Sequence, residues 1–283
     1  MIFGKLGILG GLGRSGVGGF TGVIDRLSVA PIFAASTRAL TTPIPTVGAT
    51  IRRVSDSDPY DAGFVGSPPT LDFSGINTHI GGSSGTWPKW WDQSPSANHA
   101  AQTTTSSQPA YVDGMGPSFN GSSQYMSIPH AENQLLTSGY TFTFWIRPTV
   151  DDGHIVAKAD TTTSTRGFAV YLINSGTAIR LSANQTGSTD SGADLTPDTW
   201  SHVVVSVGTS GAAEFYVNNA LSASGGTVAL PSTITSTAPL RVGSHRSGST
   251  GFYAGRLDDL LIFPGVITAG DRAALYANWE PYA

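Results

Sequence analysis

The sequence predicts an all-β protein, an antiparallel β-sandwich, and three observations carry that prediction. Short alternating runs recur at roughly ten-residue spacing from about Met115 onward, each bounded by Gly, Asp or Asn. Only 12% of the residues are charged, while the chain holds 35 Gly and 17 Pro beside many Ser and Thr. Such a polar, uncharged, turn-rich composition suits strands better than amphipathic helices. One short C-terminal segment is the best helix in the chain.

Taken in order, residues 1–30 read as a Gly-rich arm. Gly7, Gly10, Gly11, Gly13, Gly16, Gly18 and Gly19 raise the entropic cost of ordering it, so a neighbour must hold it in place. Phe3, Leu6, Ile8, Leu9, Leu12 and Phe20 are too apolar for a solvated linker and are the expected anchoring residues. Gly and then Arg14 break its apolar run and no good cleavage site follows, so the arm is read as retained.

Residues 31–110 read as an irregular, turn-rich segment packing on the sandwich, with a β-like piece from Ala49 to Val54. The stretch "WPKWWDQSPSANHAAQ" begins at Trp87. If exposed, Trp87, Trp90 and Trp91 with Asp92 and Gln93 supply the rings, amide and carboxylate of a sugar site. If buried, they anchor the loop, and the turn residues that follow favour this second reading. His245 and Tyr253 are a second candidate sugar rim.

Residues 111–283 carry the regular pattern. "PSFNGSSQYMSIP" reads as strand, turn, strand. "YTFTFWIRPTV" places Phe142 and Phe144 on one face and Thr141 and Thr143 on the other. "HIVAKAD", "GFAVYLINSG", "TAIRLSANQ", "WSHVVVSV", "EFYVNN", "LRVGS" and "GRLDDLLIF" follow as strands. In the terminal helix "TAGDRAALYANW", Thr268 is the cap, and Leu275 and Trp279 share a face.

Charge divides the chain. Residues 1–54 hold six Lys or Arg and one acid, Asp25; the rest holds nine bases and eighteen acids. A net charge of -4 argues against a nucleic-acid binder, while the basic head suggests a partner of its own. With no cysteine, disulfides, thiolate metal sites and thiol nucleophiles are excluded. No apolar run is long enough to form a membrane-spanning helix.

The series of motifs from "FNGSSQYMSIP" to "LYANW" resembles the laminin G-like, concanavalin A-like jelly-roll family. The resemblance implies a jelly-roll sandwich with "WSHVVVSV" and "EFYVNN" as a hairpin. Trp200 would plug the core, Val203, Val205 and Val207 would line one face, and Asn218 and Asn219 would form the turn. Asp258 matches an acid that fixes a turn and strand end. Upstream, "IRRVSDSDPYDAGFV" and "WWDQSPSANHAAQ" resemble segments of the arabinofuranosidase B-type catalytic domain, also a concanavalin A-like sandwich. The same segments and the Gly-rich start resemble phage structural proteins.

The residues argue against catalysis. A glycosidase needs two carboxylates about 5–5.5 or 6.5–9.5 Å apart. The only Glu residues are Glu132, Glu214 and Glu280, and no acid lies at two-residue spacing from Glu214. The arabinofuranosidase-like segments carry Asp56, Asp61 and Asp92, onto which no nucleophilic Glu maps. No nucleophile elbow or phosphate loop occurs, and the six His lack metal spacing. No cofactor is required. Ca²⁺ is the one metal considered, with Asp151 and Asp152, and Asp190 and Asp194, as candidate ligands at the sandwich rim.

The expected function is therefore a non-enzymatic virion structural protein of a phage tail or head spike or fibre. Its arm would anchor it to other virion proteins, its sandwich would face outward and bind host-surface glycans, and the chain would form a homo-oligomer, a trimer by analogy. The alternatives are a secreted or cell-surface carbohydrate-binding module and, more distantly, a glycoside hydrolase.

Overall fold

Period-two burial builds both sheets of the sandwich. In the computed structural model, which describes residues 20–158, 167–183, 187–230, 236–245 and 248–278, Phe142, Phe144 and Ile146 of the Tyr140–Pro148 strand face inward. Thr141, Thr143 and Trp145 of that strand point the other way and are buried as well. Both faces are buried because the seven-stranded sheet has a cover on its outside. Val23 and Ile24 of the N-terminal 3₁₀ turn pack there with Leu40, Val204, Leu261, Phe263 and Leu275 of the Ala269–Ala277 helix.

This sheet runs in the order Phe33–Ala35, Ala254–Phe263, Tyr140–Pro148, Ser201–Val207, Ala212–Val217 and Ala220–Thr227, with Ser118–Asn120 paired on one end of Ala254–Phe263. The facing sheet has ten strands. In order they are Gly187–Asp190, Ala178–Ala183, Phe168–Ile173, His154–Lys158, Leu240–Val242, Met126–Ile128, Ala100–Ala101, Gly85–Trp90, Ala49–Arg53 and Pro59–Ala62. All pairings between strands of either sheet are antiparallel. One core lies between the sheets and draws on Ile51, Trp87 and Trp90 as well as Phe142, Val205 and Ile262.

The hairpin expected at Ser201–Val207 and Ala212–Val217 forms in register, with Val203 opposite Val217 and Val205 opposite Phe215. Val203, Val205 and Val207 line the core as expected. Asn218 and Asn219 take φ of 50° and 63°, the left-handed region that Asn tolerates. The Asn218 side chain accepts from the His202 N–H at 2.9 Å, and Asn219 accepts from Arg272 Nε at 3.0 Å. Thr268 caps the final helix, with a reciprocal bond from its backbone N–H to Asp271. Asp258, fully buried, accepts from the Thr37 N–H at 2.9 Å and from its hydroxyl at 2.5 Å, so its role is structural.

Four expectations change. The segment 31–110 supplies five strands to the two sheets and side chains to their shared core, so it is woven into the sandwich rather than laid upon it. The arm cannot extend to residue 30, because Val23 and Ile24 are buried under the sheet. Of its expected anchors, Phe20 is half-buried, and Phe3, Leu6, Ile8, Leu9 and Leu12 lie outside the described residues, as does Trp279. Trp200 is only half-buried at the mouth of its strand, while Trp145 on the neighbouring strand is buried and stacks on Tyr276. A second helix, Phe73–Ile80, escapes the sequence reading because Gly75 and Thr78 lower its propensity. Asp72 caps its start and left-handed Gly81 ends it. No described helix is long and apolar enough to cross a membrane.

A candidate glycan-binding groove on the ten-stranded sheet

Three short strands place a polar residue between buried apolar ones. Lys89 stands between Trp87 and Trp90, Ser127 between Met126 and Ile128, and Arg241 between Leu240 and Val242. Alternation turns Ser127 and Arg241 outward while their apolar neighbours face inward. In Gly85–Trp90 both Pro88 and Lys89 separate the two buried Trp, and the pairing with Ala49–Arg53 shifts register there. Lys89 faces outward as the neighbour of inward-facing Trp90. Register then joins them: Lys89 lies opposite Ala101, Ala101 opposite Ser127, Ser127 opposite Arg241, and Arg241 opposite Ala157. Register partners project from the same face of a sheet. The result is a row across the outer face with small side chains in the middle and a cation at either end.

A groove of about 580 Å³ lies over this row. Lys89, Arg241 and Tyr125 line it with the hydroxyls of Ser127, Thr103 and Thr104. The rest of its polar lining comes from Asn98, His99 and Gln102. No carboxylate is among the described residues that line it.

Its walls are fixed from below. The Asp92 carboxylate is buried and accepts from the backbone N–H of Ala34, Ser94 and Asn98 at 2.8, 2.9 and 2.7 Å, and from the Ser94 hydroxyl at 2.9 Å. Burial pushes its pKa up, and these donors oppose the shift. The Asp92 N–H donates to His99 Nδ1 at 3.0 Å, which leaves the ring proton on Nε2. Burial and the nearby Lys89 hold His99 below the usual histidine range. On the other wall, Gln102 donates to the Tyr125 carbonyl at 3.1 Å and accepts from the Thr104 N–H at 2.9 Å. Both cations rest on rings: Lys89 Nζ sits 3.4 Å from the centre of Trp91, and Arg241 Cζ 4.9 Å from that of Tyr125.

The expected sugar residues divide around this groove. Trp87 and Trp90 are fully buried and present no ring to a ligand. Gln93 is buried between the Leu40 N–H and the Arg38 carbonyl, and Asp92 is spent on the loop, so both are braces. Trp91 is half-buried, donates to Thr50 at 3.0 Å and packs against His99 at 4.5 Å, which makes it a support of the wall. Tyr253 is fully buried with its hydroxyl donating to the Arg256 carbonyl at 2.8 Å, and His245 packs edge-on against His154. Tyr253 therefore presents no ring to a ligand, while His245 is half-buried. Tyr125, Lys89 and Arg241 were missed; of the three, only Arg241, framed by Leu240 and Val242, carried a readable signal of an outward position.

The other candidates stay apart. Asp190 accepts both of its bonds from Arg180, at 2.6 and 2.7 Å. Asp151, Asp152 and Asp194 are exposed, and Asp152 accepts from the Gly176 N–H at 3.2 Å. Among the described residues no group of three or more His, Cys, Asp or Glu side chains is placed to hold a metal. Asp56 pairs with Arg53 at 2.7 Å, and Asp61 accepts from Thr50 at 2.6 Å. Glu214 is exposed and accepts from Tyr216 at 2.7 Å. A smaller cavity of about 220 Å³ between Arg147, Arg256 and Asp198 lies on the other sheet.

The family model of the concanavalin A-like lectin/glucanases superfamily, in its laminin G-like form, matches residues 120–271, more than half of the chain. The chain belongs to that superfamily, and its fold is the lectin-like sandwich. An arabinofuranosidase complexed with arabinofuranosyl-alpha-1,2-xylobiose is similar over 90% of this chain and 63% of its own, at 14% identity and TM-score 0.68. The likeness therefore extends into the upstream segment that resembles such enzymes, and the chain spans less than two thirds of their length. A Trypanosoma rangeli sialidase in complex with sialic acid is similar over 68% of this chain and 31% of its own, at 14% identity and TM-score 0.52. The binding domain of botulinum neurotoxin serotype D follows at 14% identity and TM-score 0.50, over 67% and 49%. At such identity these likenesses concern the fold alone. Comparison with curated proteins returns no match.

Proposed function

We propose that this chain is a carbohydrate-binding module that takes a glycan in the groove between Lys89 and Arg241. The observation that carries the reading is the groove itself. Its lining combines Tyr125 with amides, hydroxyls and cations on a floor of small side chains, the mixture a polar, ring-shaped ligand requires. Two neighbours that share the fold are named as sugar complexes, which is in keeping with it. In this reading the groove binds without hydrolysing, which is supported by a described lining that holds no carboxylate where a glycosidase uses two.

The finer reading is a virion component of a phage, anchored to other virion proteins through the arm and assembled as a homo-oligomer. It is supported by the sequence of the arm, whose apolar residues alternate with glycines in a basic head on an acidic body. In the virion the sandwich displays its groove to host-surface glycans. The test of the binding role is a glycan array probed with the full chain and with Tyr125→Ala. We expect a defined set of glycans to bind and Tyr125→Ala to weaken them by about tenfold or more. Binding that is unaffected by Tyr125→Ala would contradict the assignment to this groove.

A further inference from the structure

The body of this protein is acidic, with nine bases against eighteen acids beyond residue 54. Its groove reverses that sign. Lys89 and Arg241 both line it, and neither makes an ion pair among the described residues. These two rest on aromatic rings instead, which hold their heads in place while leaving their charge unmet. Arg241 Nε is buried with no acceptor among the described residues.

Resting on the glycan-binding role proposed above, we infer that this groove selects saccharides that carry a carboxylate, and that Arg241 and Lys89 are the specificity-determining residues. The row from Lys89 through Ala101 and Ser127 to Arg241 crosses three strand spacings, on the order of 14 Å. The small side chains between the cations leave the floor low, so a saccharide can lie across the strands with an acidic group at either end. The planar guanidinium of Arg241 matches a carboxylate in geometry, and Lys89 acts as a point charge. Because both heads are already ordered on rings, little entropy is lost when the anion arrives. A nucleic acid is a poorer occupant: two cations on a chain of net charge -4 neutralise too few phosphates.

The experiment uses a panel of matched glycan pairs: sialylated and desialylated, and uronate-containing and carboxyl-reduced, with dextran sulfate as a general polyanion. Affinities are measured for the full chain, Arg241→Lys, Lys89→Gln and Tyr125→Ala. We expect the carboxylated member of the bound pairs to win by about tenfold, a margin that shrinks with added salt. Arg241→Lys keeps the charge but not the fork, and both it and Lys89→Gln should bring the ratio towards one without changing the melting temperature. Equal binding of both members of each pair, abolished by Tyr125→Ala, overturns the carboxylate selection and leaves the glycan-binding role standing. Dextran sulfate outcompeting every carboxylated glycan, with Arg241→Lys unchanged, reduces the effect to general charge attraction and overturns it too. A panel without any binder sinks this inference and the binding role together.

Discussion

His202 shows how a functional residue type becomes a structural one. It is buried, and its Nε2 shares a 2.8 Å hydrogen bond with the Thr143 hydroxyl while its ring packs against Trp145 at 5.3 Å. Burial and, secondarily, Arg272 push its pKa down from 6.5 to about 3. Below pH 6.5 the unfolded chain therefore takes up a proton that the folded chain refuses until about pH 3. Stability contributed by this group is present above pH 6.5 and falls as the pH drops through that window, by up to about 1.4 kcal/mol per pH unit. Denaturant unfolding at a series of pH values should show His202→Gln less acid-sensitive than the parent by that slope. Parallel pH profiles would contradict the buried, neutral state.

Elements whose logic is local were legible in the sequence, and those built by register were not. The hairpin from Ser201 to Val217 could be read from alternation and its two Asn. Asn218→Ala forces Ala to φ near 50° and leaves the His202 N–H without its acceptor, so it should cost about 2 kcal/mol in chemical denaturation. Asn218→Asp keeps both features and should cost clearly less, and equal losses would contradict the account. By contrast, the cluster at Trp87 looks alike whether its rings face a sugar or the core. Only the packing of Trp90 beside Ala49 and Ala100 in the finished sheet decides it. The groove was hidden for the same reason. Lys89, Tyr125 and Arg241 are far apart in the chain, and the strand order of the ten-stranded sheet is what makes them neighbours.

On the scale of the whole molecule, the fold class was readable because strand periodicity and turn chemistry repeat along the chain, and the superfamily match agrees with it. The division at residue 110 was not. Composition changes there, but the sheets do not: Ala49–Arg53 and Gly85–Trp90 continue the sheet that Met126–Ile128 and Leu240–Val242 begin. That continuity places the groove across strands from both parts, so the upstream segment completes the surface to which we assign binding. The most direct test is a crystal structure of the full chain with a glycan that it binds in solution. The account predicts the sugar seated over Ala101 and Ser127, between Lys89 and Arg241 and against Tyr125. A glycan seated on the Arg147 and Arg256 side, or at the exposed turn of Asp151 and Asp152 with the groove empty, would contradict it.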